Sequence, residues 1–405
     1  MVFVAALLLR AGWVLACWQR DGPALEFPDE QLHWQLARNL VQDGTLVSDD
    51  GRYAPRMPLY PLLLALFAGL GDAGVLTARL VQAGLGAATA WGAYLIAEKF
   101  GGPRCGLVAG VLVCLDPYAI FFTDLLLTET LFSAVLVALV GAARLSLSTQ
   151  AQEARRGGIG VALLGAAAVM TRPSAAGWLL LLWLALWLAD RGRARATRRL
   201  ALCAGVLAGA LLPWGLRNRA VIGAPAWLST NGGVSLYDAL GPQADGSSNQ
   251  AFLAHMPELA QLTEVQRDQR LRQLALEQVR RHPGRLLRLA WVKFCRTWSP
   301  IPNVSTYRGG ATGMLSAAFT GLLLIGALAG LARAVFGVND TSAQRPDRRL
   351  HLLLWLPVLY FTLLHCVFVG SLRYRVPLMP LLSIAAATAV AHPRRLRPAA
   401  PFARR

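Results

Sequence analysis

Two adjacent carboxylates stand in F-P-D-E-Q-L-H-W, Phe27 to Trp34, shortly after an apolar run of nearly membrane length. Such a carboxylate can take a proton from a hydroxyl nucleophile if it sits beside the substrates rather than in bulk water. Pro28 suits the first turn of a helix, and residues to about Gln42 can be placed on a wheel at about 100° per residue. Leu32, Leu36 and Leu40 then form one stripe, and Gln31, Gln35, Arg38 and Gln42 form the opposite face. Asp29 falls on the leucine stripe with His33 one turn along, whereas Glu30 sits on the flank. A carboxylate on the packed or lipid side is costly unless it is paired or used. The same two residues would also complement the helix dipole, by ~0.3 to 1 kcal/mol at exposed sites. The wheel alone leaves both roles open.

A second acidic stretch is F-F-T-D-L-L-L-T-E-T-L-F, Phe121 to Phe132, where Asp124 and Glu129 bracket a tight turn between apolar runs. Carboxylates at that depth line polar cavities more often than they face lipid. Asp124 also fits a solvated turn; Glu129, entering the next run, is the better candidate. Arginines recur on the same side: Arg56, Arg172 in T-R-P, Arg217 and Arg219 in P-W-G-L-R-N-R, and Arg373 and Arg375 in L-R-Y-R-V-P. Guanidinium groups recognise phosphate oxygens through paired hydrogen bonds. Singly, each reads as an interfacial anchor. Together with the carboxylates they read as a site that holds an anionic lipid headgroup beside a general base, with His33, Asp124, Tyr60 and Tyr374 as accessory residues.

The elements that must carry these residues are membrane helices. The chain has 405 residues, 55% apolar and 15% charged, too oily for a soluble domain. With ~20 residues needed to cross the hydrocarbon, candidate spans fall at about 2–18, 74–97, 105–122, 126–145, 158–172, 174–190, 198–214, 313–335, 350–370 and 374–391. The first run lacks a basic leader and a cleavage signal, so it reads as a retained span. If the spans alternate, the basic loops Glu98 to Arg104, Arg144 to Arg156, Arg191 to Arg199 and Arg333 to Arg349, with the tail Arg394 to Arg405, all fall on one side. By the positive-inside rule that side is cytoplasmic, as are both termini. The net charge of +18 is thereby explained without a nucleic-acid partner.

The expected division is an N-terminal transmembrane catalytic module at 1–214 with a first extracytoplasmic loop at 19–73, an extracytoplasmic region at 215–312, C-terminal transmembrane helices at 313–391 and a basic cytoplasmic tail at 392–405. Pro58 to Leu70 is too short to span and reads as an interfacial or re-entrant helix. G-G-I-G-V-A-L-L-G, Gly157 to Gly165, reads as small-residue helix packing, because no strand precedes it. The six cysteines form no C-x-x-C pair and read as packing residues rather than zinc ligands or disulfides. All but two of the 40 basic residues, Lys99 and Lys293, are arginine, a bias that fits a GC-rich bacterial genome.

The acidic pair, the P-L-Y-P segment, L-L-T-E-T-L-F, T-R-P, P-W-x-x-R-N-R followed by S-T-N-G-G (Ser229 to Gly233), and R-Y-R-V-P-L-M-P (Arg373 to Pro380) together resemble the family 39 glycosyltransferases, bacterial relatives of protein O-mannosyltransferases and aminoarabinose transferases. The resemblance runs from about residue 5 to 391. It implies an all-α GT-C fold with about ten spans and interfacial helices in the extracytoplasmic loops. It also implies a hexosyl- or pentosyltransferase of the bacterial inner membrane, which takes sugar from a polyprenyl phosphate and passes it to a lipid, glycan or protein acceptor. Carried over by residue, Asp29 matches the general base, Glu30 its acidic neighbour and Glu129 the second acidic position; Arg56 falls near a basic residue that contacts the lipid phosphate. The aminoarabinose branch has Glu-Lys-Pro where Arg56-Met57-Pro58 stands here. A metal-binding carboxylate is therefore missing, and the resemblance does not carry a divalent metal over with the other residues. A transporter or flippase for lipid-linked sugars is the alternative, and it predicts midplane charges and a repeated half.

Overall fold

The computed structural model describes residues 1–190, 192–304, 308–336 and 348–390, and every regular element among them is helical. The expected basic tail and the whole loop between 336 and 348 lie outside the described residues. The N-terminal part comprises α1 (Val2–Asp21), α2 (Pro28–Asp43), α3 (Leu59–Ala68), α4 (Asp72–Cys114), α5 (Pro117–Asp124), α6 (Thr128–Ser146), α7 (Ala151–Thr171), α8 (Ala175–Ala189) and α9 (Arg193–Ile222). Then follow the short α10 (Gly232–Leu240), α11 (Glu264–Arg281), α12 (Pro283–Thr297), α13 (Gly310–Phe336), α14 (Arg348–Val367) and α15 (Met379–Ala389).

By length and composition, six of these can cross a bilayer: α1, α4, α6, α9, α13 and α14. The other apolar runs take different forms. α4 breaks at Gly102, whose φ of 80° and ψ of −176° leave the helical region just before Pro103, a conformation open to glycine because it has no Cβ. It stops at Cys114 rather than running to 122, because Asp116 starts a new helix by accepting from the amides of Tyr118 (2.9 Å) and Ala119 (3.2 Å). The carbonyls left open at the end of α4 are met from α1: Arg10 donates to Val113 O (2.8 Å) and Cys114 O (3.2 Å). α9 runs unbroken past residue 214 to Ile222, so the expected boundary at 214 falls inside a helix. α15 has only 11 residues, and residues 379 to 388 are buried throughout.

Glycines set the closest helix contacts. A Cβ on Gly157 would lie 2.2 Å from the backbone nitrogen of Ser146, and one on Gly165 would lie 2.8 Å from Leu179. The glycine run of α7 thus packs against α6 and α8. Within the main core the Phe361 ring meets both Phe132 and Trp178.

The described parts of the basic loops gather at one end. Arg144 lies over the Phe100 ring at 4.7 Å, and Arg199 donates to Ser146 O (3.0 Å) and Leu186 O (2.7 Å) while pairing with Asp190. At the same end Arg333 donates to Ala389 O at 3.0 Å. These contacts join the ends of α6 and α8 to the start of α9, and the end of α13 to that of α15.

Candidate active site

At the other end of the bundle α6 begins and α7 finishes, which puts Glu129 beside Arg172. Arg172 pairs with Glu129 at 2.7 Å, donates to Thr128 Oγ1 at 2.8 Å and covers the Phe132 ring. Glu129 is fully buried, and its second partner is Arg373. Arg373 also donates to Asp29 Oδ2 at 2.5 Å, and Arg56 holds Asp29 Oδ1. The result is one alternating row: Arg56, Asp29, Arg373, Glu129, Arg172. It draws on the first loop, on α6, on the end of α7 and on the segment before α15, so it is not confined to residues 1–214.

Asp29 remains reachable, with 34% of its side chain accessible. Desolvation opposes its charge, but Arg56 and Arg373 outweigh that and hold the carboxyl well below the usual range. His33 lies beside it, buried, edge-on to Tyr60 with ring centroids 5.0 Å apart. Desolvation, with Arg56 nearby, lowers His33 to about 3, so it is neutral. Tyr60 donates to Gln82, whose amide reaches Thr123 O and Leu125 O. Those bonds tie α3 and α4 to the turn that leads to Glu129.

Several expected site residues have other partners. Glu30, placed on the flank by the wheel, is fully buried, whereas Asp29 is the accessible one. A single-stripe wheel fails here because α2 is enclosed on more than one side, with Glu30, His33 and Ala37 buried as well as Leu32 and Leu36. The Glu30 carboxylate accepts from the amides of Glu26 (3.1 Å), Phe27 (3.0 Å) and Leu126 (2.8 Å). It pins the start of α2 to the α5–α6 turn. Asp124 pairs instead with Arg79 at 3.5 Å. Arg217 donates to Tyr53 O (2.5 Å) and Leu46 O (2.9 Å), on the backbone of the first loop.

Arg373 and Arg375 also separate. Their segment, Leu372–Leu378, is a 3-10 turn, in which residues two apart point about 120° from one another. Arg375 is fully buried on Thr297 O and Ser299 O and over the Tyr118 ring. Between them Tyr374 stacks on His365, with centroids 3.9 Å apart and planes 10° apart. His365 was not among the expected residues, although a histidine inside an apolar run is itself a signal. Glu264, which holds the first loop, gave no such signal. Among the described residues no three His, Cys, Asp or Glu side chains come together as a metal ligand set.

No family model and no curated protein matches the chain. Solved structures do. The archaeal oligosaccharyltransferase AglB from Archaeoglobus fulgidus, in complex with an inhibitory peptide and a dolichol-phosphate, superimposes with a TM-score of 0.58 at 14% identity over 96% of this chain. The Archaeoglobus fulgidus oligosaccharyltransferase in the apo form gives 0.59 at 13% identity, again over 96% of this chain. The fold is GT-C. This chain spans about half, 49%, of either oligosaccharyltransferase chain. ArnT from Cupriavidus metallidurans, bound to undecaprenyl phosphate, is similar over 96% of this chain and 77% of its own at 16% identity, with a lower TM-score of 0.44. At these identities the likeness establishes the GT-C fold and nothing finer.

Proposed function

We propose that this protein is a membrane glycosyltransferase that moves one sugar, with inversion, from a polyprenyl phosphate to an acceptor hydroxyl on the extracytoplasmic side of a bacterial inner membrane. The observation that carries the reading is the alternating row. An accessible carboxylate, Asp29, stands between two guanidinium groups on a GT-C fold, at the end of the bundle away from the basic loops. A GT-C neighbour found with dolichol-phosphate supports a lipid-phosphate donor.

In the proposed step the acceptor oxygen forms a bond to the anomeric carbon as the bond from that carbon to the phosphate oxygen breaks. The acceptor proton passes to Asp29, and the leaving polyprenyl phosphate keeps the electron pair. Arg373 and Arg56 meet the charge that builds on it. Both arginines neutralise Asp29 in the free protein and so weaken it as a base. When the donor phosphate takes their hydrogen bonds, Asp29 regains basicity with the substrate in place. Glu129 and Arg172 anchor Arg373 from behind, and Glu30 positions α2.

The test is transfer by the purified protein from a set of undecaprenyl-phosphate hexoses and pentoses. Asp29→Asn should cut turnover by ~100-fold or more. Its affinity for undecaprenyl phosphate should hold or rise, because a competitor for the arginines has lost its charge. Equal turnover by wild type and variant would remove Asp29 from the mechanism.

A further inference from the structure

We propose that Glu264, in the long region after α9, is a positioning residue for the reaction: it fixes the backbone that aims Arg56 at Asp29. The proposal deepens the reading above and rests on it for the role of Asp29.

Glu264 opens α11 but does not cap it. Thr263 does that, with Gln266 reaching back to the Thr263 amide at 3.0 Å, so the Glu264 carboxylate is available elsewhere. It accepts from two successive amides more than 200 residues earlier, Tyr53 N at 2.8 Å and Ala54 N at 3.1 Å. Thr230 completes the clamp: its amide donates to Ala54 O at 2.9 Å, and its hydroxyl meets Glu264. From the other side Arg217 takes Tyr53 O. Both backbone polar groups of Tyr53 are therefore held by side chains from beyond residue 214.

The hold reaches Arg56 through a stiff link. Pro55 has a fixed φ and keeps Ala54 out of the helical region. Ala54 and Met57, on either side, are buried against Trp214. The clamped amides, Pro55 and the buried neighbours restrict the backbone that carries the Arg56 side chain, which ends on Asp29. A carboxylate across two adjacent amides is a charge-assisted contact, of the stronger class of hydrogen bond. The region after α9 is thus joined to the reacting carboxylate.

The experiment reads Asp29 directly and needs no sugar donor. Full-length protein in lipid nanodiscs is treated with a water-soluble carbodiimide and an amine, which modify protonated carboxyls, across the acid range. Mass spectrometry gives the pH of half-labelling at Asp29. Arg56→Gln, by removing one of two opposite charges, should raise that pH by about 1 to 3 units. Glu264→Ala should raise it within the same range, and Glu264→Ala combined with Arg56→Gln should go no further than Arg56→Gln alone. Labelling at Glu30, held by other amides, should not change. If Glu264→Ala does not fold, Glu264→Gln keeps the size, removes the charge and should move Asp29 in the same direction.

Wild-type labelling at Asp29 in the folded Glu264 variants overturns the proposal, as does an additive double variant. So does a parallel rise at Glu30, which would mean general loosening. Absence of sugar transfer, by contrast, would fall on the functional reading and leave the labelling outcome to stand.

Discussion

Arg373 bridges Asp29 and Glu129, carboxylates that lie 344 and 244 residues before it in the chain. Two residues on, Arg375 turns away from that row into backbone carbonyls. On the proposed function the donor phosphate meets Arg373, whereas Arg375 holds backbone carbonyls. Arg373→Gln should weaken binding of undecaprenyl phosphate by roughly 10-fold or more, the worth of a charge-assisted hydrogen bond at ~1.5 to 3 kcal/mol. Arg375→Gln should lower the thermal midpoint and leave that affinity unchanged in the molecules that fold. Titrating both variants with the lipid in nanodiscs checks this; equal affinity losses would refute the division.

Glu30 separates from Asp29 in the same manner. Its three backbone donors make it a bracket between α2 and the turn before α6. Glu30→Gln removes the charge but keeps an acceptor oxygen, so stability should fall by ~1 to 3 kcal/mol. Turnover per folded molecule should stay within a few-fold of wild type, and a loss as deep as that of Asp29→Asn would mean that Glu30 takes part in the chemistry.

His33 predicts an acid sensitivity of stability. Burial lowers it to about 3 from an ordinary value near 6.5, so between those values the unfolded chain binds a proton that the folded protein does not. Stability then falls as pH drops through that window, by at most ~1.4 kcal/mol per pH unit. Asp29 acts lower: its depressed folded value gives stability present above about 4 and lost below. The thermal midpoint of His33→Gln should therefore decline less than that of wild type between about pH 6.5 and 4. Parallel profiles for the two proteins would contradict this.

The gathering of basic loops at the end opposite the site predicts which face is outside. In a variant without the native cysteines, Gln250→Cys should react with an impermeant maleimide in intact cells, and Gln152→Cys only after lysis. The reverse pattern would invert the topology and place Asp29 in the cytoplasm.

The sequence by itself determined the class of molecule and the residue types at the site. Long apolar runs fix helical spans, because a backbone in lipid must satisfy its own hydrogen bonds. The glycine run of α7 could be read as helix packing for the same local reason. Asp29, Arg56, Glu129, Arg172 and Arg373 could each be singled out, since charge beside an apolar run is costly without a use.

Only the tertiary structure decided which of them meet. Asp29, Glu129 and Arg373 are brought together across hundreds of residues, and no local period encodes that pairing. The wheel misplaced Glu30 because it assumes one buried face, whereas α2 is packed on several. Arg373 and Arg375 looked alike until the 3-10 turn pointed them apart. Glu264 was invisible because an acid in the first turn of a soluble-looking helix has a sufficient local explanation. Its partners, two amides of a loop 210 and 211 residues away, exist only in the fold.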